Sequence, residues 1–520
     1  MSFLNKNSRK RSVLVVIILL SVMFMVFQAI PYEHRTFSIP DVILRKETEP
    51  TTTTVKDPEP SATPALENQE KFLTYLPYSR FSNQRSTLLN AALLAKYLNR
   101  TLIVPPMFLG YANGWSPAPG LYEVLSNMTD SHFQDICFDE NQNEIYYEPV
   151  ILQEGEPPAF GCYNFTTYVI TPWSWATDLN RLSLSEDEGG LGINIIERQD
   201  MSLSSLKKQL NLHDDDLYLM EDSTRYQWHI VDDTSHPPNP RYQQEVSIKE
   251  LSGIRERLLH FYGIFGYDRL LLSSSDSEEY RLRIQQALIF RHPAITDASA
   301  FILGQLLDSI DKNEKELMPL DPHEARKKEK STGHFDPPRF VAAHIRAGDG
   351  VFLKGLKDRI PEFVHQIWDI MKGNETTLDD LIGATNNKTA IKEHKLLHAN
   401  QPLPKAPRRI RDRLGALSLS DRLEACGQLN QMLLYVATDA PSPRDNKDLQ
   451  PLLDAFPCTY FMADFSDNWR EPLLNLRSPL DPFKDLSEHL VMFVDATVCA
   501  WAERFIGTRT STFSVSALLG

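Results

Sequence analysis

The sequence is poor in cysteine and in basic residues, and each shortage excludes a class of protein. Five cysteines among 520 residues are too few for a disulfide scaffold, and their odd number leaves at least one thiol unpaired within the chain. Lys and Arg total 54 against 69 Asp and Glu, so the formal net charge is −15. A general nucleic-acid-binding protein needs a basic surface, and we therefore expect no nucleic acid among the partners. With 42% hydrophobic residues, the chain can still build a sizeable core.

Motifs of several common enzyme classes are also missing. The sequence has no Walker A loop, no His-Glu-x-x-His and no Gly-x-Ser-x-Gly, which excludes the commonest NTPases, zinc proteases and hydrolases. The Asp-x-Asp pattern at Asp214–Asp216 is one by which many glycosyltransferases hold a metal, but it lies in an acidic stretch without a flanking strand. We therefore interpret it as a solvated acidic turn.

One hydrophobic run is long enough to cross a membrane, which excludes a multi-span membrane protein. Residues 12–30 carry no charge and follow a short basic segment, a pattern that predicts a transmembrane helix with residues 1–11 in the cytoplasm. A cleaved signal peptide is the alternative. The run is longer than an ordinary signal-peptide core and shows no clear cleavage site, so we favour an uncleaved anchor. The remaining chain would then lie in the lumen of the endoplasmic reticulum or Golgi, as in a type II membrane protein.

A stem is predicted between this anchor and the folded part. Residues 31–70 contain six Pro and a run of four Thr, with almost no apolar periodicity, and such a composition cannot bury enough surface to fold. Beyond it we predict two α/β domains, an acceptor-side domain at 71–335 and a nucleotide-sugar domain at 336–520. The cysteines could form disulfides in the lumen, but their spacing does not define a pairing.

A βαβ pattern opens the first domain. Residues 72–76 form a short apolar strand, a polar loop follows, and residues 86–99 are apolar nearly all round, as in a buried helix. Residues 101–104 form a second strand. Strand, buried helix and strand in close succession are the building block of a doubly wound parallel sheet.

The rest of the folded part alternates in the same way but less clearly. Residues 180–250 are predicted to be acidic and irregular, and residues 250–310 to be mainly helical. A second α/β region then opens with a buried strand. Its predicted elements are strands at 340–345, 433–437 and 504–506 and a helix near 485–503.

The strongest candidate site follows the strand at 340–345. The sequence there is His-x-Arg-x-Gly-Asp-Gly, so Arg346 would emerge at the carboxyl end of a strand, where parallel sheets bind ligands. The planar guanidinium suits a diphosphate, and the glycines let a phosphate approach the backbone closely. A purely structural pair between Arg346 and Asp349 is the alternative.

Two other groups of polar residues adjoin predicted elements. Near the C-terminus a strand, a Gly turn and a run of Ser and Thr open a helix, and such hydroxyls either cap the helix or help to bind phosphate. Asn83 is predicted to lie just ahead of the buried helix, where it could cap the helix or bind a sugar hydroxyl.

Four stretches of the chain occur in the order of a known family. They are YLPYSRFSNQR with LAKYLNRTLIVPP, then AHIRAGDG, YVATD and VDATVCAWAERFIGTRTSTFS. Together they resemble the protein O-fucosyltransferases and their fungal relatives, from about Phe72 to the end of the chain. The resemblance implies an α/β fold of the GT-B type, with two Rossmann-like domains facing across a cleft. It also implies transfer of fucose from GDP-fucose with inversion, without a bound metal or other cofactor.

The resemblance further implies roles for individual residues. Asn83 would lie beside the fucose, and His344 and Arg346 would contact GDP-fucose, with Arg346 holding the β-phosphate as it leaves. Asp349 would close the same motif. Asp495 would accept hydrogen bonds from the adjacent N–H groups of guanine. The sequence pattern alone, without the resemblance, predicts that Asp495 is an exposed helix residue. The phosphate-cradling turn would comprise Ser511, Thr512 and Phe513.

The chain departs from the family at the predicted proton acceptor. Arg80 stands where some members carry a Glu that could take the proton of the acceptor hydroxyl. A loose transition state needs little help from a base if Arg346 and the hydroxyl turn stabilise the departing diphosphate. We expect a transferase that delivers fucose to a hydroxyl of a lumenal protein or glycan. The alternatives are a related transferase for another nucleotide sugar and a non-catalytic lumenal binding protein with the same fold.

Overall fold

The structure is a computed structural model that describes most of the chain between residues 69 and 511. The described residues are 69–110, 114–138, 162–233, 235, 237–266, 268–307, 340–348, 350–371, 401–429, 431–508 and 511. The predicted cytoplasmic tail, the predicted anchor and nearly all of the predicted stem lie outside them. Within these ranges, no helix is long and apolar enough to cross a bilayer.

Parallel strands dominate the first half of the described chain. They are β1 Phe72–Tyr75, β2 Thr101–Val104, β3 Met107–Gly110, β4 Tyr168–Thr171, β5 Ile195–Glu197, β6 Leu217–Met220, β7 Trp228–Val231, β8 Gln244–Ser247, β9 Leu258–Phe261 and β10 Leu270–Leu271. Among the described residues, one parallel sheet has the order β5-β2-β1-β9-β6 and a smaller one has the order β10-β7-β8. β3 and β4 form an antiparallel pair.

Helices connect these strands. They are α1 Phe81–Leu98, α2 Gly120–Met128, α3 Ser131–Cys137, α4 Cys162–Thr166, α5 Trp173–Ala176, α6 Leu203–Leu210, α7 Ile248–Ser252, α8 Ser275–Ala287 and α9 Pro293–Leu307, with 3-10 turns at Leu179–Ser183, Glu186–Glu188 and Asp214–Asp216. α1 joins β1 to β2 and is buried on nearly every side, as its apolar sequence predicts. Because β1 and β2 are parallel neighbours, the predicted βαβ unit is confirmed.

The start of α1 differs from the prediction. The helix begins at Phe81 rather than after a polar loop, so the placement of Asn83 ahead of the helix is wrong. Gln84 in its first turn has a tertiary partner. The side-chain amide of Gln84 donates to the carbonyl oxygens of Ser79 (3.1 Å) and Phe108 (2.8 Å), and its oxygen accepts from Phe108 N–H (2.9 Å). Such long-range partners satisfy buried polar groups and leave no mark in the local pattern.

The prediction for the middle of the chain is wrong in part. Residues 180–250 contain β5 to β8 and α6 instead of an irregular segment, and the mainly helical segment 250–310 begins with β9 and β10 before α8 and α9. β9 lies between β1 and β6 in the larger sheet, and all its residues are buried. Strands of three or four residues are too short to show a clear period, which is why the sequence pattern missed them.

The second half of the described chain matches its predicted elements. Its strands are β11 Phe340–Ile345, β12 Leu433–Thr438, β13 Thr459–Tyr460 and β14 Arg504–Gly507, and they form a parallel sheet in the order β13-β12-β11-β14. Its helices are α10 Gly350–Lys354, α11 Leu356–Met371, α12 Arg408–Gly415, α13 Leu419–Gln428, α14 Gln450–Ala455 and α15 Ser487–Ala500, with 3-10 turns at Met462–Asp464 and Asp467–Leu473. The predicted mixed α/β fold with parallel sheets is confirmed.

The two halves share a hydrophobic core. α9 packs against α15, and the rings of Phe81 and Phe290 lie 4.5 Å and 4.4 Å from the ring of Phe493. Phe81 opens α1 and Phe493 lies in α15, so the first turn of α1 is fixed against the second half by aromatic contacts.

Four of the five cysteines pair. Cys137 at the end of α3 bonds to Cys162 at the start of α4, and Cys426 in α13 bonds to Cys458 just before β13. Cys499 is a buried free thiol. The pairing that the spacing left open is therefore local, within each half.

Candidate functional site

Arg346 lies at the carboxyl end of the second parallel sheet. It follows β11, whose residues are all buried and which lies between β12 and β14. Its side chain is 18% exposed, its Nε is 3.1 Å from Asp439 Oδ2, and its guanidinium carbon is 5.9 Å from the centre of the Phe352 ring. A fixed cation therefore stands at the edge where parallel sheets bind ligands.

Asp439 organises the turn that carries Arg346. It directly follows β12, and its Oδ1 accepts hydrogen bonds from Ala347 N–H (2.6 Å) and Gly348 N–H (2.9 Å). Asp439 ends the stretch YVATD, for which the sequence patterns predicted no role in the site. The residue's position just after a buried strand was the available signal. Asp349, the alternative partner of Arg346, lies outside the described residues.

Thr508 holds the same turn from the other side. It follows β14, and its Oγ1 accepts from Arg346 N–H (2.9 Å) and donates to the carbonyl oxygen of His344 (2.8 Å). The N–H of Ser511 donates to the Thr508 carbonyl oxygen (3.1 Å), and Ser511 is buried. The start of the hydroxyl run thus lies beside the end of β11. Thr512 and Phe513 lie outside the described residues.

His344 is buried near the end of β11. It is 4% exposed, and its backbone lies between Ala437 of β12 and Gly507 of β14. Burial, and then the nearby charge of Arg346, lowers the pKa of His344 to about 3. The imidazole is therefore neutral at physiological pH, and Arg346 supplies the positive charge at this end of the strand.

Asp495 lies in α15, next to β12. Tyr435 of β12, which is fully buried, donates from its hydroxyl to Asp495 Oδ1 (2.5 Å). Burial raises the pKa of Asp495 to about 7, although the hydrogen bond from Tyr435 opposes the shift. The reading of Asp495 as an exposed helix residue is wrong, because the side chain is half-buried and has a buried partner.

A cavity of about 250 Å³ opens beside Asp495 at the carboxyl end of β12. Thr438 connects this cavity to the Arg346 turn, because it lines the cavity and its hydroxyl donates to the carbonyl oxygen of Ile345 (2.7 Å). A carboxylate among aromatic rings suits a flat base with N–H donors. The other lining residues include Val436, Phe461, Phe465, Trp469 and Arg470.

Asn83 belongs to the first half of the chain. Arg80 occupies the N-cap position of α1, so the proposed capping role of Asn83 is wrong. The side-chain amide of Asn83 donates to Ser79 Oγ (2.6 Å), while its Oδ1 is buried without a hydrogen-bond partner among the described residues. Asn83 thus presents an unused acceptor just beyond the carboxyl end of β1.

A second polar group near this edge was missed by the sequence analysis. Asp222 follows β6 and is 1% exposed, and within the described ranges neither of its carboxylate oxygens has a hydrogen-bond partner. Burial raises the pKa of Asp222 to about 7, against the effect of Arg269. Gly263 after β9 leaves room for this carboxylate, since a Cβ there would lie 2.7 Å from Asp222 Oδ2. The irregular structure predicted for this region hid the strand that precedes Asp222.

The acidic turn Asp214–Asp216 is a 3-10 turn. Asp214 pairs with Lys207 and its side chain is 92% exposed, as expected for a solvated turn. The statement that no strand flanks it is wrong, because β6 follows directly. In the part of the chain that the structure describes, no group of His, Cys, Asp and Glu side chains could hold a metal ion.

Comparison with known proteins finds a similar sequence segment in one protein and solved structures of low similarity. No family model matches the chain. Solved structures of POFUT1 that cover this chain broadly include a GDP complex (12% identity, 87% of this chain and 94% of that one, TM-score 0.33) and the apo form (12%, 88% and 96%, TM-score 0.34). TM-scores this low do not establish a shared fold.

The sequence match is short but close. A segment of 57 residues is 49% identical to O-fucosyltransferase 30 of Arabidopsis thaliana, and it makes up 11% of this chain and 11% of that protein. The chain thus matches about a tenth of the length of this relative. The predicted resemblance to the O-fucosyltransferases is confirmed within this segment.

Proposed function

We propose that this protein is a GT-B glycosyltransferase that transfers fucose from GDP-fucose, with inversion, to a hydroxyl of a lumenal protein or glycan. The observation that carries the proposal is the placement of Arg346 and of the Asp495 cavity at one edge of a parallel sheet. A nucleoside diphosphate has a base with hydrogen-bond donors and a doubly charged phosphate group, and these two features fit the cavity and the guanidinium.

The base would occupy the cavity beside Asp495. Guanine offers two adjacent N–H donors, which suit one carboxylate, whereas uracil presents a single N–H between two carbonyl groups. Tyr435 fixes Asp495 Oδ1 through its hydrogen bond, so the carboxylate is preoriented for such a base. The chemistry of the cavity therefore favours a guanine nucleotide over a uracil nucleotide.

The diphosphate would lie against Arg346. Loss of the nucleotide diphosphate builds negative charge on the β-phosphate, and a planar guanidinium can bind two of its oxygens at once. His344 is neutral and would contact the donor without adding charge, while Ser511, Thr512 and Phe513 would continue the phosphate site, with Asp349 closing the Arg346 turn. A preorganised cation of this kind stabilises the transition state more than the ground state.

The sugar and the acceptor would lie on the side of the first half. Asn83 Oδ1 would accept a hydrogen bond from a fucose hydroxyl, and the acceptor hydroxyl would attack C1 from the face opposite the leaving diphosphate. In a loose transition state the new C–O bond is little formed, so the acceptor hydroxyl would give up its proton late, to an oxygen of the departing diphosphate, whose developing charge Arg346 would neutralise. We propose that no resident metal or cofactor is needed.

We also propose the cellular setting that the sequence predicts. Residues 1–11 would form a cytoplasmic tail, 12–30 a signal anchor and 31–70 a stem, and the lumenal part would comprise domains at 71–335 and 336–520. The protein would then be a single-pass type II membrane protein of the endoplasmic reticulum or Golgi. An oxidising lumen agrees with the two disulfides.

Ligand binding and turnover test the proposal together. We expect GDP and GDP-fucose to raise the melting temperature of the purified protein, with or without EDTA, and the protein to hydrolyse or transfer from GDP-fucose. Arg346→Ala and Arg346→Lys should each lower turnover by about 100-fold or more. Ala removes the positive charge, and the Lys ammonium cannot bind two phosphate oxygens at once as the planar guanidinium does. Arg411→Ala, which removes a guanidinium that pairs with Asp454 in the same half, should keep wild-type turnover.

The same experiment separates the alternatives. Stabilisation by UDP-sugars only, or stabilisation abolished by EDTA, would contradict the proposal. Binding of GDP without turnover on any acceptor would favour a non-catalytic binding protein, and full activity of Arg346→Ala would remove Arg346 from the site.

A further inference from the structure

One carboxylate, that of Asp439, contacts both the backbone and the side chain of the Arg346 turn. Its two oxygens have separate partners. Oδ1 accepts from Ala347 N–H (2.6 Å) and Gly348 N–H (2.9 Å), whereas Oδ2 lies 3.1 Å from Arg346 Nε. The backbone of the turn and the guanidinium are therefore tied to one another through a single side chain.

We propose that Asp439 is a positioning residue, which fixes the plane and direction of the Arg346 guanidinium for a diphosphate. This inference rests on the proposed function. A guanidinium is planar with its donors in a fixed fork, so a contact at Nε sets where the terminal N–H groups point. Asp439 acts through Arg346 and is not itself a phosphate ligand, because two anions in contact would repel.

The Arg346–Asp439 pair is held more firmly than an ordinary surface ion pair. Most exposed ion pairs contribute little because both side chains are mobile. Here the carboxylate is held by two backbone N–H groups, and the Arg346 side chain is only 18% exposed. The backbone of Arg346 is held independently, since its N–H donates to Thr508 Oγ1 (2.9 Å). Asp439 thus restrains the Arg346 side chain, which the backbone hydrogen bond to Thr508 leaves mobile.

Close packing adds a second restraint on the same carboxylate. A Cβ at Gly348 would lie 2.7 Å from Asp439 Oδ2, 2.9 Å from its carboxyl carbon and 3.1 Å from its backbone oxygen. The turn therefore rests directly on Asp439, which leaves little room for the carboxylate to move. A displaced guanidinium would lose alignment with the departing phosphate, and a misplacement of about 1 Å can cost roughly 100-fold in rate.

Because the two oxygens of Asp439 have different partners, a substitution can remove the contact of one oxygen and keep that of the other. In Asp439→Asn the amide oxygen can keep the two backbone hydrogen bonds, while the amide nitrogen replaces Oδ2 and faces another donor, Arg346 Nε. The turn should remain folded, and the guanidinium should lose its contact with Asp439 Oδ2. Asp439→Ala removes both functions, so the pair of variants separates positioning of the side chain from support of the turn.

The test measures GDP affinity by calorimetry and turnover of GDP-fucose by product formation, on the full chain. Asp439→Asn should lower turnover by about 100-fold and GDP affinity by about 10-fold, with a melting temperature close to that of the wild type. In the Arg346→Ala background, the same substitution should have no further effect on GDP affinity, because Asp439 acts only through Arg346. Asp454→Asn, which breaks another Arg–Asp pair of the same half, should leave both quantities unchanged.

Each contrary result has its own meaning. Wild-type turnover in Asp439→Asn, or an equal further loss of GDP affinity in the Arg346→Ala background, would overturn the positioning role while the proposed function stands. Loss of melting temperature in Asp439→Asn as large as that in Asp439→Ala would assign Asp439 to the turn alone. Failure of the wild-type protein to bind GDP would overturn the proposed function and this inference with it.

Discussion

Asp495 shows how the tertiary environment decides the chemistry of a single side chain. Its carboxyl group lies beside a cavity and against Tyr435, and burial raises its pKa to about 7. In the unliganded protein, protonated and charged forms are then both populated near neutral pH. The Asp495 carboxyl group must be charged to accept hydrogen bonds from two N–H groups of a guanine base. The pH should therefore control the binding of that base.

We therefore predict that the affinity for GDP falls as the pH is lowered below 7. The sign follows from linkage: the unliganded carboxyl with its raised pKa binds a proton at low pH, and guanine binding must expel that proton. The dissociation constant should rise by up to about tenfold per pH unit between pH 7 and pH 5, and level off above pH 8. Isothermal calorimetry across this range measures the effect.

Two variants isolate the contribution of Asp495 from the titration of the nucleotide itself. Asp495→Asn should bind GDP more weakly at pH 8 and lose the additional slope below pH 7. Asp412→Asn, an exposed carboxylate of the same half, should keep the wild-type slope. Equal slopes in the wild type and Asp495→Asn would show that guanine does not meet this carboxylate.

At the scale of the element, the turn between β11 and α10 depends on a glycine for space. Gly348 has no side chain where a Cβ would meet both the carboxylate and the backbone oxygen of Asp439 at 2.7–3.1 Å. Real Cβ atoms essentially never come within 3.0 Å of a neighbour, so the Asp439 carboxylate would have to shift, and its backbone oxygen at 3.1 Å would also have to give way slightly. Glycine at this position therefore lets the turn and the Asp439 carboxylate pack together without displacing Arg346.

We predict that Gly348→Ala weakens GDP binding by about tenfold, because the turn must open and the Arg346–Asp439 pair must separate. The free energy of unfolding should fall by about 1–2 kcal/mol, because the opened turn strains the two backbone hydrogen bonds to Asp439. Gly304→Ala is the matched control. Nothing lies within 4 Å of a Cβ at Gly304 in α9, so this substitution should stabilise the protein by roughly 0.5–1 kcal/mol and leave GDP binding unchanged. Unchanged GDP affinity in Gly348→Ala would contradict the tight turn.

At the scale of the whole molecule, each half carries its own covalent link and both share one core. The Cys426–Cys458 bond closes a loop with a sequence separation of 32 and ties α13 to the entry of β13, next to the proposed base cavity. The Cys137–Cys162 bond spans 25 residues on the other half. Such links stabilise a fold mainly by limiting the freedom of the unfolded chain.

We predict that Cys426→Ala with Cys458→Ala lowers the free energy of unfolding by about 3.7 kcal/mol, the value that loop-closure entropy gives for a sequence separation of 32. Urea unfolding with and without dithiothreitol measures the loss. Dithiothreitol should lower the free energy of unfolding less in the double variant than in the wild type. In Cys499→Ala it should lower this free energy as much as in the wild type, because Cys499 is a free thiol. An unchanged response to reductant in the double variant would show that this disulfide does not form in solution.

The fold and the candidate site were predictable to different degrees. Elements with long apolar patterns, such as α1, β11 and α15, were found from sequence because burial on several sides imposes composition directly. Short strands such as β5 and β6 were missed, since three or four residues carry little periodicity. Arg346 was found because it directly follows an evident strand. Asp222 was missed because the strand before it was not recognised.

The sequence by itself determined the parallel α/β class, the place of Arg346 after a buried strand and the resemblance to O-fucosyltransferases, because all of these depend on residues that are close in the chain. Only the tertiary structure decided which groups meet. Asp439 and Thr508 reach the Arg346 turn across 92 and 162 residues, and Gln84 beside Asn83 bonds to Phe108 across 24 residues. Asp495 acquires its raised pKa from burial. Partners and charge states of this kind arise from long-range contacts and desolvation, which local sequence patterns do not encode.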